Sequence, residues 1–385
     1  MKTFLKRPNI SSRNVAIAAG MLVFAAIGTA LIISSYAATP TVSFEAEAGT
    51  RSGNASTLTD SGASGGGAVK FGVTGGSACP NNNFNTPGGP DSWGGCWPGP
   101  GNTGHTAAPG YPGSVTDFTG SLQSNSTVSF KRFPVGFTIP ANISNITFYG
   151  CVFLGADSSS WNVRMDGQNV TFDYSSFIPQ GQAAPPVAHT GSSQFGIWQY
   201  YDNPGKMTVT NSEFWGWANG IMYYSRAGAQ YTFTARNNYL HDARADGGGV
   251  DHTDGILQHD AFAQNSVIDH NTIMTAGNTN GIAMQEQEAA DLTITKNLLS
   301  GFGYTVAIAK QKMTNVQFTD NVFSTAIQPQ WGPLYSWPSG GTSTNNTWRR
   351  NTWFVAPGGY SSASGDSGKY WWPDGTLSAT DYTGQ

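Results

Sequence analysis

A short phrase that recurs along the chain constrains its fold more than any other feature. Each copy is a β-rich run that closes on a polar residue, followed by a turn and a second short apolar run. The first run begins at Asn145, Asn169, Met207, Tyr231, Asn265, Asp291 and Asn315. The second run begins at Gly196, Gly220, Gly255, Gly281 and Thr305, at spacings of 24, 35, 26 and 24 residues. A near-constant period with length changes confined to turns indicates a solenoid, in which each coil covers the next.

The residue pattern within each copy indicates strands rather than helices. Apolar and polar residues alternate with a period of two, β-branched and aromatic residues are enriched, and Asn, Gly and Asp fill the turns. A coil of about two dozen residues with two or three short strands is typical of a parallel β-helix. We therefore predict an all-β chain whose solenoid spans residues 116–358.

Three segments make the chain similar to a known superfamily. They are Trp97–Gly104, Tyr239–Arg244 and Asp251–Ile256. Over about residues 95–358 the chain resembles the pectate-lyase-like proteins, and within them a bacterial secreted group of β-helix repeat proteins. The resemblance implies a single-stranded right-handed parallel β-helix. That superfamily is rich in polysaccharide lyases, hydrolases and epimerases, but one fold carries many reactions, so the resemblance does not select one.

The N-terminus predicts export. An apolar stretch of 19 residues from Val15 to Ile33 follows four basic residues, and Ser35–Ala37 offers a small-residue cleavage site. Residues 1–37 are therefore a cleaved signal peptide or a retained membrane anchor, since 19 apolar residues are just long enough to span a bilayer. Either alternative places the β-helix outside the cytoplasm, secreted or membrane-anchored.

The segments that flank the solenoid are less regular. Residues 38–76 are rich in Gly and Ser and resemble the opening strands of a carbohydrate-binding module, although they are too short for a whole module, so a linker is the alternative. Residues 77–115 are assigned to an irregular N-terminal cap region, and residues 359–385 to a C-terminal tail or cap. Cys79 and Cys96 flank a loop rich in Pro, Gly and Asn, and export predicts a disulfide between them. Cys151 lies in an alternating strand and is predicted to be a buried free thiol.

Composition narrows the class of partner. Only 11% of residues are charged, the net charge is −4, and no run of Lys or Arg follows the N-terminus. Nucleic acid binding needs a basic surface, so this composition argues against it. We expect a monomer whose partner is a polysaccharide or a cell-surface glycan.

The longest repeat interval carries a polar insert over residues 241–254. Functional groups in solenoids gather where the loops of adjacent coils meet, so this insert is the strongest candidate site. A lyase or epimerase acting on a uronate must neutralise the carboxylate, remove a ring proton and protonate a leaving group. We predict as catalytic residues Asp251, His252, Asp254, His259 and Arg244. Asp242 and Asp246 are predicted ligands of a calcium ion.

The second runs predict a substrate-binding face. If Ile197, Ile221, Ile256, Ile282 and Val306 point inward, alternation directs the residue after each of them outward. This places Trp198 in one outer column and Tyr200 and Tyr224 in another, and aromatic rings stack on sugars. The predicted substrate-binding residues are Trp198, Tyr200, Tyr224, Gln285 and Lys310. Asparagines at one phase of the repeat predict a structural ladder of Asn237, Asn271, Asn297 and Asn321.

These observations favour a carbohydrate-active protein that acts on an acidic polysaccharide by lyase or epimerase chemistry. A noncatalytic cell-surface glycan-binding or adhesin-type protein is the alternative, and a structural coil without a ligand is a third. Glycoside hydrolysis is less favoured. Polygalacturonases carry a motif similar to His252–Ile256, but the next coil here, Gly277–Gly281, lacks the Asp pair that theirs has, and that chemistry needs two carboxyls.

Overall fold

The structure is a computed structural model in which almost every regular element is a strand. It describes residues 55–59, 67–71, 79–156, 160–182, 194–199, 205–223, 232–244, 252–258, 263–284, 288–308, 312–335, 337 and 343–356. The chain divides into two units, residues 1–75 and 76–385. In the first unit, β1 (Ala55–Thr59) pairs antiparallel with β2 (Gly67–Phe71).

The second unit is built from three parallel sheets. Sheet 1 contains β4 (Ser126–Ser129), β7 (Ser144–Tyr149), β10 (Gln168–Asp173), β13 (Lys206–Thr210), β16 (Thr232–Arg236), β19 (Ala263–Asp269), β22 (Ala289–Thr295), β25 (Met313–Thr319) and β28 (Thr347–Arg349). Sheet 2 contains β3 (Thr116–Asp117), β5 (Lys131–Phe133), β8 (Val152–Gly155), β11 (Ser176–Pro179), β14 (Glu213–Phe214), β17 (Tyr239–His241), β20 (Thr272–Thr275), β23 (Leu298–Gly301), β26 (Val322–Ser324) and β29 (Thr352–Phe354). Sheet 3 contains β6 (Phe137–Ile139), β9 (Trp161–Met165), β12 (Phe195–Gln199), β15 (Asn219–Tyr223), β18 (Asp254–Gln258), β21 (Asn280–Met284), β24 (Tyr304–Ile308) and β27 (Gly332–Leu334).

Each coil contributes one strand to each sheet, and successive coils pair in register. Ile197 pairs with Ile221, and Ile256 with Ile282, so the repeat phase read from the sequence is the pairing register. The predicted all-β parallel β-helix is confirmed. Among the residues that the structure describes, none forms an apolar helix of membrane-spanning length. The predicted signal peptide or anchor at residues 1–37 lies outside those residues.

The interior is a stack of apolar columns, one from each inward-facing position. In sheet 2 the rings of Phe133, Phe153, Phe177 and Phe214 stack with centroid separations of 4.6, 5.1 and 4.3 Å. The five predicted inward residues of sheet 3 belong to this core, whereas Trp198 packs with Met222, Leu257 and Ala283 in a separate cluster. The predicted inward and outward register of sheet 3 is therefore confirmed.

An asparagine ladder lies at the turn from sheet 1 to sheet 2. Its members are Asn238, Asn271, Asn297, Asn321 and Asn351. From Asn271 onward, the side-chain oxygen of each accepts the backbone N–H of the preceding member, at 2.9 to 3.0 Å. The predicted ladder is thus confirmed for three of its residues, but Asn237 was the wrong choice. Arg236 pairs with Asp269, which aligns Asn238 with Asn271 and leaves Asn237 in the left-handed turn position before it, at φ 56°.

Cys151 is a buried free thiol, as predicted. It immediately follows the left-handed Gly150, in the same way that Asn238 follows Asn237. Its Sγ donates to the carbonyl oxygen of Val128 at 3.3 Å. Burial raises the pKa of this thiol to about 11, because the thiolate would lose its hydration. Cys151 is therefore an unreactive part of the core.

The segment before the solenoid lies along the outer face of sheet 2. We call residues 79–111 the strap. The ring of Phe84 contacts Phe354 in the last strand at 6.2 Å, whereas the Pro109 carbonyl accepts the Tyr149 hydroxyl, in an early coil, at 2.8 Å. The strap therefore follows the solenoid from its last coil to its first coils. The predicted disulfide between Cys79 and Cys96 is confirmed, and it closes the first loop of the strap.

A buried glutamine gives a stability prediction. Gln258 in β18 is fully buried, and among the described residues its amide nitrogen and oxygen have no hydrogen-bond partner. Its neighbour in β15 is Tyr223, whose hydroxyl contacts the Met284 sulfur, so the surroundings suit a thioether. We expect Gln258→Met to raise the free energy of unfolding by about 1–3 kcal/mol in urea denaturation. Gln317→Met, at a half-buried position where the amide donates to Asn315, is the control, and an equal or larger gain there would contradict the reasoning.

Candidate functional site

The structure separates the predicted site residues into three places. Arg244 lines a cleft, and His252 and Asp254 flank Thr253, which lines the same cleft. Asp242 lies with a histidine on sheet 2, and Trp198 lies on the outer face of sheet 3. The remaining predicted residues lie outside the described residues: Asp246, Asp251, His259, Tyr200, Tyr224, Gln285 and Lys310.

The cleft occupies the corner where the chain passes from sheet 2 to sheet 3 in successive coils. Its volume is about 350 Å³, and we call it the corner cleft. It is lined by Arg244, Thr253, Ala276, Gly277, Asn278, Phe302, Gln328 and Gln330. Glycine at 277 permits the close approach of coils, because a Cβ there would lie 2.9 Å from the Thr253 methyl carbon and 3.1 Å from the Phe302 ring.

The lining of the corner cleft combines one cation with neutral hydrogen-bonding groups. Arg244 is 9% exposed, and its backbone N–H donates to the Trp217 carbonyl at 2.9 Å, which fixes the start of the insert. Asn278 Oδ1 accepts the Thr253 backbone N–H at 3.0 Å, so this amide joins two coils. A guanidinium offers five donors in a planar fork that matches a carboxylate. The described part of the cleft is therefore lined by one guanidinium and by neutral amide groups.

Asp254 lies in a second polar ladder beside the corner cleft. Its Oδ1 accepts both the backbone N–H and the side-chain amide of Asn280, each at 3.0 Å, and the residue is 4% exposed. Burial raises the pKa of this carboxyl, and the hydrogen bonds from Asn280 offset the effect only in part. Asn219 pairs with Asp254 in register, and among the described residues its buried Oδ1 has no donor. The surroundings of Asp254 thus suit a neutral group that can donate.

This ladder predicts that Asp254→Asn stabilises the protein. A carboxyl whose pKa is raised on folding keeps its proton in the folded state after the unfolded state has lost it near pH 4. Stability therefore falls as the pH rises from that value through the folded pKa. Asparagine removes this loss and supplies an N–H toward Asn219. We expect a gain of about 1–3 kcal/mol at pH 7, measured by urea denaturation.

The pH dependence separates this account from a general effect of charge removal. The gain should be small at pH 4 and grow toward pH 8, because only the wild-type carboxyl titrates. The matched control is Asp117→Asn, since that carboxylate is exposed and paired with Arg132 at the surface. An Asp254→Asn variant less stable than wild type at pH 8 would show that the ionised carboxylate is the preferred state.

A histidine network lies on sheet 2, under the strap. We define it as His105, Ser176, Glu213, Tyr239, His241 and Asp242. His241 Nδ1 lies 2.6 Å from Asp242 Oδ2 and its Nε2 lies 3.3 Å from Glu213 Oε1, while its ring stacks on Tyr239 at 3.9 Å. Burial lowers the pKa of His241, but the two carboxylates outweigh burial and the net shift is upward. The two carboxylates thus favour the cationic form of His241.

The strap completes this network through His105. Its Nδ1 lies 2.8 Å from Ser176 Oγ, and burial lowers its pKa although Glu213 acts in the opposite direction. The sequence did not predict Ser176, Glu213 and His105 as members of a cluster. Because 71 residues separate His105 from Ser176, no local pattern reports the contact.

The predicted calcium site gains no support from the described residues. Asp242 Oδ2 is engaged with His241, and within the described ranges no group of three His, Cys, Asp or Glu residues could hold a metal ion. The other predicted ligand, Asp246, lies outside those ranges. Calcium binding stays a prediction.

The aromatic face of sheet 3 is larger than the sequence indicated. The guanidinium of Arg164 lies 5.3 Å from the ring centroid of Trp198 and 5.7 Å from that of Trp161, and Phe195 stacks on Trp198 at 5.5 Å. Arg164 pairs in register with Trp198, one coil before the first copy of the second run. Trp161 and Arg164 were not predicted from the sequence, because β9 lacks the Gly-Ile start of the later copies.

Comparison of the chain with protein-family models, with curated proteins and with solved structures finds no match. The fold assignment therefore rests on strand pairing, and an assignment of function rests on the chemistry of the site.

Proposed function

We propose that the protein binds an acidic polysaccharide in the corner cleft. The observation that carries this proposal is the placement of Arg244 among the amides of Asn278, Gln328 and Gln330 and beside the ring of Phe302. A guanidinium pairs with a carboxylate through two parallel hydrogen bonds, and amide groups donate to and accept from sugar hydroxyls. A few convergent polar groups beside an aromatic ring are typical of ligand sites.

The character of the cleft favours a uronate over a more highly charged ligand. Arg244 is the one charged side chain among the described residues that line it, and recognition of a carboxylate needs a single guanidinium. Binding to a polyphosphate chain draws on many basic groups, and the chain as a whole carries a net charge of −4. A solenoid also presents similar positions from coil to coil, which suits a polymer with repeated units.

Lyase or epimerase chemistry is a second candidate function, favoured by the position of His252. This residue is exposed and directly precedes Thr253, which lines the corner cleft. An imidazole at the edge of the cleft can accept the ring proton of a uronate whose carboxylate is neutralised by Arg244. Asp254 is less suited to this step than the sequence suggested, because it is buried in the ladder with Asn280.

The proposal is tested with a panel of uronate polymers and the same polymers after reduction of their carboxyl groups. In affinity electrophoresis, at least one uronate polymer should retard the purified protein, whereas the reduced form of that polymer should not. Equal retardation by both forms, or by neither across the panel, would contradict recognition of a carboxylate. Ultraviolet absorbance of unsaturated products, recorded on the same samples, decides whether the bound polymer is also cleaved by β-elimination.

A further inference from the structure

A chain of hydrogen bonds joins sheet 1 to the strap. Asn211 Nδ2 donates to Asp173 Oδ1 at 2.8 Å, and Asn237 Nδ2 donates to Asn211 Oδ1 at 3.2 Å. The ring of His270 then lies with Nδ1 2.8 Å from Asn237 Oδ1 and Nε2 3.0 Å from Asp91 Oδ2. The chain therefore begins and ends at a carboxylate.

The two ends of this chain dictate where the protons lie. A carboxylate only accepts, whereas an amide donates on its nitrogen side and accepts on its oxygen side. Because Asn211 donates to Asp173, its oxygen accepts from Asn237, and the oxygen of Asn237 must in turn accept from His270. Asp91 can also only accept, so His270 must donate on both sides. Turning over Asn211 or Asn237 would only move an oxygen-to-oxygen contact elsewhere in the chain. Only an imidazolium has two N–H donors, so the geometry requires the charged form of His270.

Both carboxylates accept further hydrogen bonds. Asp173 Oδ1 also accepts the Thr210 hydroxyl at 2.8 Å. Asp91 Oδ1 accepts the backbone N–H of Trp93 at 2.7 Å and of Gly95 at 2.8 Å. Burial raises the pKa of Asp91, but these bonds and the one from His270 outweigh it, and the pKa lies below its ordinary value.

The remaining surroundings of His270 also bear on its charge. Trp97 of the strap stacks on the imidazole with ring centroids 5.2 Å apart and planes 15° from parallel, an arrangement that favours a cation. Arg236 is paired with Asp269 at 2.8 Å, and Lys296 lies in the next coil with its ammonium 5.7 Å from the Trp93 ring. The charged groups around His270 are Asp91, Asp173, Asp269, Arg236 and Lys296.

We propose that the strap is a pH-dependent cover of sheet 2, which His270 holds closed only while its ring carries both protons. Loss of one proton leaves an acceptor nitrogen against an oxygen, at Asp91 or at Asn237. The strap segment from Asp91 to Trp97 then opens, and the apolar surface beneath Trp97 is exposed. That surface comprises Met274, Leu298 and Val322, with Ile327 and Phe354 beside it.

The first test locates the protons directly. Nitrogen-15 NMR of the ring in the whole protein, labelled at histidine and assigned with a His270→Gln variant, should show two protonated nitrogens at about pH 6. A spectrum with one unprotonated ring nitrogen at that pH would overturn the inference.

The second test removes the need for the charge while keeping the contact. In Asp91→Asn the amide oxygen can still accept from Trp93 and Gly95, and the new N–H can donate to a neutral His270. Between about pH 5.5 and pH 8.5, hydrogen-exchange protection of strap amides, corrected for intrinsic rates, should fall roughly 10- to 100-fold in the wild type. In Asp91→Asn it should stay constant within about threefold. Parallel pH profiles in the two proteins, or a wild-type strap whose protection does not change, would overturn the proposal.

Discussion

Replacing Asn297 with leucine is expected to lower the free energy of unfolding by about 3–5 kcal/mol. Asn297 is fully buried in the middle of the asparagine ladder. Its Oδ1 accepts the backbone N–H and the side-chain amide of Asn271, both at 2.9 Å. Its Nδ2 donates to the carbonyl of Ile268 and to Asn321 Oδ1, also at 2.9 Å. Leucine has a similar volume, so the loss reports hydrogen bonding rather than a cavity.

The size of this effect follows from the number of groups left unsatisfied. Each buried donor or acceptor without a partner costs about 1–3 kcal/mol, and leucine strands groups on both neighbouring coils. Urea denaturation of Asn297→Leu against Asn142→Leu, an exposed control that should change stability by less than about 0.5 kcal/mol, measures the difference. Similar losses in the two variants would mean that the ladder contributes little to the fold.

Replacing Trp97 with alanine is expected to remove about 3–5 kcal/mol from the free energy that holds the strap on sheet 2. Trp97 is fully buried. Its ring packs on Met274, Leu298 and Val322, and its Nε1 donates to Asn85 Oδ1 at 2.9 Å. The truncation therefore leaves a large cavity and an unpaired amide oxygen. The loss should appear first as exchange of strap amides, because the stacked coils keep their own core.

The control for this variant is Trp93→Ala in the same loop. Trp93 is 42% exposed and touches Trp97 edge to face at 5.6 Å, so its loss should cost about 1 kcal/mol or less. Strap protection that is equally weakened in both variants would contradict the assignment of Trp97 as the anchor. If Trp97→Ala unfolds globally at the same denaturant concentration as the wild type, the substitution affects only the strap. A large change in that concentration would show that the strap is an integral part of the solenoid.

The sequence predicted those parts of the structure that depend on local alternation. The inward positions of Ile197, Ile221 and Ile256 were correct because strand alternation fixes the face of every residue once one is known. Asn237 was wrong by one residue because two asparagines are adjacent there, and only the pairing of Arg236 with Asp269 chooses between them. A one-residue choice of this kind depends on neighbouring coils.

The candidate site was harder to predict because its groups come from distant parts of the chain. Arg244 was identified from the length of the insert, but Gln328 and Gln330, which line the same cleft, lie several coils later. Asp254 has the residue type of a catalytic acid, yet burial and the contact with Asn280 give it a structural setting that composition does not report. The strap, which brings Asp91 to His270, has no repeat pattern and so could not be placed from the sequence.

The measurement that tests recognition by the corner cleft most directly is the affinity of Arg244→Gln for a uronate polymer that the wild type binds. Glutamine keeps a hydrogen-bonding side chain and removes the charge, so the dissociation constant should rise roughly 10- to 100-fold in calorimetry. The matched control is Arg236→Gln, which removes an exposed arginine that pairs with Asp269 at the surface. Its dissociation constant should stay within about twofold of that of the wild type. An Arg244→Gln protein that binds as tightly as Arg236→Gln would contradict the account.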